Sequence, residues 1–231
     1  MIPPILRVAK AGSTNADLRA MADRGAVHGS ALQADSQQAG RGRLGRSWLA
    51  APGDGVLLSV LIRTPMPAAR VPLLTLGAAV AAAECVPGLL IKWPNDLLAP
   101  DGRKVAGVLA EAEFHQGRLS VAIIGVGLNV HAAPDLPDAT CLDEALPDHG
   151  WTVTGLGERL RDDILELAEV AAHDPAALLE RWRSRAHTLG RRVRIGAVEG
   201  VALDVAANGG LIVQTESGRQ TLLAGDVHVL S

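Results

Sequence analysis

The chain has 231 residues, 48% hydrophobic and 20% charged, with 22 Lys and Arg against 25 Asp and Glu for a formal charge of −3 at pH 7. That composition supplies a sizeable core and argues against global disorder, and the mild acidity argues against a protein that coats nucleic acid electrostatically. Aromatics are scarce, at four Trp, one Phe and no Tyr, so the core must be built from Ala, Leu and Val.

In chain order, Thr14-x-x-Asp17 reads as a capping-box start and Gly25 as a stop, predicting a helix over 14–24. Ala31 to Asp35 predicts a short strand, and the apolar run Val56 to Ile62 a buried one. Val71 to Pro87 is Ala-rich but dotted with Gly77 and Glu84. It reads as a buried helix over Ala68 to Cys85 rather than a membrane span. Leu89 to Lys92 predicts a strand ending at Trp93-Pro94-Asn95-Asp96. Val105 to Phe114 and Leu119 to Val126 predict a hairpin turning near Gln116-Gly117.

Residues 132–150, with Pro134, Pro137 and Pro147, read as an irregular excursion. Helices are predicted over 155–172 and 175–188. The first carries Leu156, Leu160, Ile164, Leu167 and Val170 on one stripe. From Arg191 to Ser231 helix signals stop, and five short strands separated by Gly-rich turns predict a small SH3-like barrel docked on the larger part. Cys85 and Cys141 form no C-x-x-C pair, and Met1-Ile2-Pro3-Pro4 begins no secretory signal. A cytoplasmic protein is expected.

Gly40-Arg41-Gly42-Arg43-Leu44-Gly45-Arg46-Ser47-Trp48 is the most informative stretch. Its glycines let backbone approach a ligand, its arginines offer forked donors to carboxylate or phosphate, and Trp48 offers a flat face to a ring. Residues 40–45 also spell G-x-G-x-x-G, but Pro52, Gly53 and Gly55 break any helix after it, and no acid lies some 20 positions on, which argues against a dinucleotide fold. A solvated basic loop is the plainer alternative.

Four further strings stand out. Lys92-Trp93-Pro94-Asn95-Asp96 leaves Asn95 and Asp96 at a strand end, either as a site or as a simple Asx turn. Lys104-Val105-Ala106-Gly107-Val108-Leu109 puts a lysine at a strand start and a glycine inside it, where a bulge or a closely approaching ligand is expected. Ser13-Thr14-Asn15 reads as a helix N-cap, which leaves free N–H groups available to a ligand. Asn129 closes Gly125-x-Gly127-x-Asn129. The seven histidines show no metal-ligand spacing, no metal ligand is assigned, and no Ser-His-Asp arrangement can be argued.

In this order the strings resemble the biotin protein ligase family. The resemblance spans most of the first 130 residues, and the barrel-like tail resembles the family's C-terminal domain. It implies an α+β fold: a class II synthetase-like mixed sheet with helices over 1–188, and an SH3-like domain over 189–231. It implies activation of biotin by MgATP as biotinyl-5′-AMP, then transfer to a lysine of a biotin carboxyl carrier domain.

By resemblance, Ser13, Thr14, Asn15 and Gln37 would line the biotin site, with Gly107 beside them. Arg41, Gly42 and Arg43 would hold carboxylate and phosphate. Trp48 would cover the adenine, Asn129 would lie near the adenosine, and Asn95 and Asp96 near the phosphates, the metal or the incoming lysine. Lys104 would meet the biotin carboxylate or acyl phosphate, and Asp96 is the candidate for deprotonating the acceptor lysine. Position 44 is Leu where some members carry another arginine, a change the loop is expected to tolerate. Some members also carry an N-terminal DNA-binding domain; here the Ser-Thr-Asn string begins at residue 13, so no operator binding is expected. No nucleic acid or membrane partner is expected, and a monomer or weak homodimer is. A lipoate– or octanoate–protein ligase of the same fold is the nearest alternative. It would need an apolar tunnel where Ser13, Thr14 and Gln37 offer polar partners.

Overall fold

A computed structural model describes residues 2–147 and 150–230. Asp148 and His149, in the stretch read as irregular, lie outside the described residues, as do Met1 and Ser231. The first part runs β1 (Leu6–Val8), α1 (Thr14–Asp23), β2 (Ala31–Ala34), β3 (Gly55–Ile62), α2 (Pro72–Cys85), β4 (Leu90–Lys92), β5 (Asp96–Leu98), β6 (Lys104–His115) and β7 (Arg118–Asn129). Then come α3 (Leu142–Ala145), α4 (Val153–His173) and α5 (Pro175–Arg183). The tail holds β8 (Arg192–Ile195), β9 (Val198–Val205), β10 (Leu211–Thr215), β11 (Gly218–Leu222) and β12 (His228–Val229).

The large sheet has the order β1-β2-β3-β7-β6-β5-β4, parallel between β1 and β2 and antiparallel elsewhere. Residues alternate between its faces, so each strand serves two layers. One face packs Leu32, Ala34, Leu61, Val121 and Ile123 against Leu18 and Ala22 of α1. The other packs Val56, Leu58, Val60, Val108, Ile124 and Val126 against α2 and α4, which lie side by side on this face, α2 mainly over β4 to β7 and α4 over β3. The span Ala68–Cys85 is long and apolar enough to cross a bilayer, yet here it is the central core helix.

Several expectations need correction. Thr14 is the first helical residue rather than the cap; Ser13 occupies the cap position without a side-chain cap bond, and Asp17 Oδ2 accepts from the Gly12 amide at 3.1 Å. The helix expected over 175–188 ends at Arg183, because residues 185–187 turn to pair with the edge of β4: Ile91 N donates to Arg185 O and His187 N to Ile91 O, both at 2.8 Å. The strand β7 runs on through Gly125 and Gly127 to Asn129. Strands β1 and β5, three residues each, add to the elements expected from the sequence. The 132–150 excursion contains the short α3.

The tail is a five-stranded antiparallel sheet, order β11-β10-β9-β8-β12, as expected of an SH3-like domain. Trp93, 1% exposed, fastens it. The indole Nε1 donates to Gly209 O at 3.0 Å, and the Trp93 amide donates to Thr188 Oγ1 at 2.8 Å. Gly209 has φ +84° and sits against Leu73 and Leu76 of α2, where a side chain would be both strained and crowded. Arg183 Nε reaches Asp204 Oδ1 at 2.7 Å beside this contact.

Candidate active site

Strand register builds the site. The β4–β5 hairpin turns through Trp93-Pro94-Asn95, with a cis Trp93–Pro94 bond, and sets Lys92 opposite Asp96. Asp96 in turn pairs with Gly107, and Gly107 with Gly127. Residues directly opposite share a face, so this row places a carboxylate beside two residues without side chains. The Lys104 ammonium lies 2.6 Å from Asp96 Oδ1, and that of Lys92 3.2 Å from Oδ2. One carboxylate thus holds two lysines. Asn95 is fixed by its own amide, which donates to Val108 O at 3.0 Å.

Residues 40–48 form a flap over this row. Gly42 N donates to Arg46 O at 2.7 Å and Trp48 N to Gly40 O at 2.9 Å, closing the flap on itself. Leu44 and Gly45 turn at φ 55° and 75°, and Leu44 points to solvent at 72% exposure. No helix follows, which rules out the dinucleotide reading of the glycines. The Trp48 ring lies on the two strand glycines: a Cβ at Gly107 would be 3.2 Å from Trp48 Cζ3, and one at Gly127 would overlap the indole. What approaches Gly107 closely is therefore Trp48; no bulge occurs there. Lys104 Nζ sits 5.7 Å from the Trp48 ring centroid, in range of a cation–π contact. Trp48 Nε1 is buried without a hydrogen-bond partner in the protein.

The three flap arginines have different partners. Arg41 pairs with Glu111 at 3.0 Å, and Arg46 with Asp226 of the tail. Arg43 Nη1 donates to Asn95 Oδ1 at 2.9 Å and to Gly225 O at 3.4 Å, both uncharged acceptors. Among the described residues no carboxylate lies within ion-pair distance of Arg43. Burial holds its guanidinium below the ordinary arginine range; nearby Asp96 opposes this and Arg46 adds to it. Arg43 is therefore the pocket cation with the most to gain from an incoming anion.

The third wall is the start of α1. Gln37 Oε1 accepts from the Thr14 amide at 2.7 Å and from Thr14 Oγ1 at 3.0 Å, which leaves its Nε2 as a donor. Ser59 Oγ lies 2.8 Å from Thr14 Oγ1 and 2.6 Å from Asn15 Oδ1. Asn15 Nδ2 donates to Glu111 Oε2 at 2.8 Å.

These walls enclose a cavity of about 110 Å³. Ser13, Thr14, Asn15 and Gln37 line one side, Arg41, Gly42, Arg43 and Trp48 the flap, and Asn95, Asp96, Lys104 and Gly107 the floor. Asn15 lines the cavity with its amide bonded to Glu111 and Ser59, as Thr14 beside it is bonded to Gln37 and Ser59. Asn129 is not in the lining: it is 4% exposed and its Nδ2 donates to Thr140 O at 3.0 Å, tying down the excursion after β7. Arg46, Gly125, Gly127 and Asp226 line the cavity without having been assigned to it. The glycines were visible as a string, whereas nothing in the sequence connects Asp226 with Arg46, 180 residues earlier. No cluster of three or more His, Cys, Asp or Glu suited to a metal occurs among the described residues. Asp96 and Asp226 are each already paired with cations, Asp96 with Lys92 and Lys104 and Asp226 with Arg46.

Comparison with known proteins agrees with this architecture. The profile of the Biotin/lipoate A/B protein ligase family matches residues 24–129, and that of the biotin protein ligase C-terminal domain matches 188–230. The biotin–[acetyl-CoA-carboxylase] ligase of Mycobacterium tuberculosis is 37% identical over 95% of this chain and 86% of its own. The bifunctional ligase/repressor BirA of Bacillus subtilis is 32% identical over 94% of this chain and 71% of its own. Among solved structures, the biotin protein ligase of Aquifex aeolicus in complex with biotin and ATP superposes with a TM-score of 0.77 at 28% identity, covering 99% of both chains. Fold and sequence converge: the chain belongs to the biotin protein ligase family.

Proposed function

We propose that this protein activates biotin with MgATP and transfers it to a lysine of a biotin carboxyl carrier domain. The observation that carries the reading is the cavity in which Arg43, Lys104 and Asp96 meet above Gly107 and Gly127, with Trp48 as a lid. In the first step a biotin carboxylate oxygen attacks the α-phosphorus of ATP, an O–P bond forms, and pyrophosphate leaves. Both reactants are anions, so their approach requires fixed positive charge. Arg43 and Lys104 supply it from opposite sides. Lys104 leaves Asp96 for the carboxylate, and Lys92 stays on Asp96. Ser13, Thr14 and Gln37 receive the ureido ring, and Trp48 covers the adenine. The magnesium ion comes with ATP and lowers the charge on the departing pyrophosphate.

In the second step the acceptor amine attacks the acyl carbon, a C–N bond forms, and AMP leaves. Asp96, still oriented by Lys92, takes the amine proton. The flap keeps water from the mixed anhydride in between. Residues 1–188 are assigned to catalysis and 189–231 to the docked SH3-like domain, whose Asp226 completes the wall. The enzyme would act in the cytoplasm, where carboxylases are made.

Biotin-dependent ATP–pyrophosphate exchange tests this, with lipoate and octanoate in parallel. Exchange with biotin alone is expected, followed by AMP release and labelling when an apo carrier domain is added. Exchange with lipoate or octanoate instead would convert the reading to a lipoate-type ligase. Absence of exchange with all three would overturn it.

A further inference from the structure

Glu111 stands outside the motifs that mark the site, yet it touches two of the pieces that build it. It lies on β6 four residues after Gly107, on the same face of the sheet. Its Oε1 is 3.0 Å and its Oε2 3.1 Å from Arg41 Nη2. Oε2 also accepts from Asn15 Nδ2 at 2.8 Å. Asn15 is 4% exposed and is itself fixed by Ser59, so the carboxylate is held from behind by a rigid donor. Arg41 is bridged to Ser47 at the base of the flap. With Arg46 held by Asp226, the flap is pinned at two places by carboxylates that belong to other elements.

We infer that Glu111 is a positioning residue: it holds Arg41, and with it residues 41–46, shut over the cavity so that an acyl-adenylate formed there stays bound and away from water. This rests on the function proposed above. An ion pair as exposed as this one, at 49% and 35%, gains little when both partners are mobile. Here one partner is already immobilised by a charge-assisted bond from a buried amide, so less side-chain entropy remains to be lost when Arg41 binds. The contact acts on the flap and not on the reacting atoms, so its loss should appear in retention of the intermediate before it appears in chemistry.

The test forms the adenylate on the full chain with biotin and MgATP, removes excess nucleotide, and follows its loss without an acceptor. Glu111→Gln keeps an acceptor for Asn15 and removes the charge that faces Arg41. It is expected to speed loss about fivefold, with the unfolding midpoint unchanged, and Glu111→Ala to do at least as much. In an Arg41→Ala background Glu111→Gln should add nothing, since its effect runs through Arg41. Unchanged loss from Glu111→Gln, or an equal acceleration with and without Arg41, overturns the inference while leaving the ligase reading intact. Failure of the unaltered protein to form any adenylate overturns both.

Discussion

Lys104 and Asp96 hold each other at 2.6 Å across neighbouring strands, and Lys92 grips the second oxygen of the same carboxylate. Lys104 can therefore turn to a developing negative charge without leaving Asp96 unpaired. Replacing Lys104 by Ala should cut biotin-dependent pyrophosphate exchange by at least ~10²-fold, the scale of losing one electrostatic stabiliser. Exchange rates measured at saturating biotin and ATP decide it; near-normal turnover would remove Lys104 from the chemistry.

Gly127 should be intolerant of even one methyl. A Cβ there would lie 2.6 Å from Trp48 Nε1 and 2.7 Å from Cδ2, so the indole must leave its place on the floor. Because Trp48 sits on a flap, the loss should fall on nucleotide rather than on folding. Gly127→Ala is expected to raise the KM for ATP roughly tenfold, about 1.4 kcal/mol, and to leave the KM for biotin nearly unchanged. A matching rise for biotin alone would move Trp48 to the other end of the cavity.

Trp93 is a structural residue within a motif that reads as a site. Trp93→Ala should cost about 3–5 kcal/mol, since it empties a fully buried position between α2 and the tail. Trp93→Phe keeps most of the packing but leaves Gly209 O without its donor, which should cost about 1–3 kcal/mol. Denaturant titration of both variants measures these values, and a Trp93→Phe variant as stable as the unaltered protein would show that the hydrogen bond contributes nothing.

Acid should weaken the fold through His187. Burial, then Arg191 and Lys92, hold its imidazole below the ordinary histidine value of 6.5. The unfolded chain therefore takes up this proton at a higher pH than the folded one. The contribution is complete above about pH 6.5 and is lost as pH falls below it. His187→Gln should flatten the drop in melting temperature between about pH 7 and pH 5.5. Parallel curves for the two proteins would assign the pH dependence to other groups.

How much of this was legible depended on the residue. The flap announced itself because arginine, glycine and tryptophan in one short stretch carry information that a core strand does not. Gly107 announced a close approach but not what approaches, because Trp48 reaches it from 59 positions away. The strands β1 and β5 are three residues long, too short for alternation to register. Helix α5 ends early for a tertiary reason, the pairing of residues 185–187 with β4, which no local propensity records. Glu111 is one polar position on a strand, and its partners Asn15 and Arg41 lie on separate segments. Asn129 shows the converse: its string was informative, but its amide faces Thr140 and not the cavity.

The contacts of Arg43 with Gly225 and of Arg46 with Asp226 also bear on how the protein comes into being. Translation delivers the flap some 180 residues before the tail groups that hold Arg43 and Arg46. A nascent chain can fold its large sheet and its glycine floor while the cavity stays open on one side. Only when the second sheet has been synthesised and docked through Trp93 does the wall close. A ribosome-stalled or truncated product would thus carry most of the cavity-lining residues but lack the wall that Gly225 and Asp226 complete, so completion of the tail is the step that closes the site.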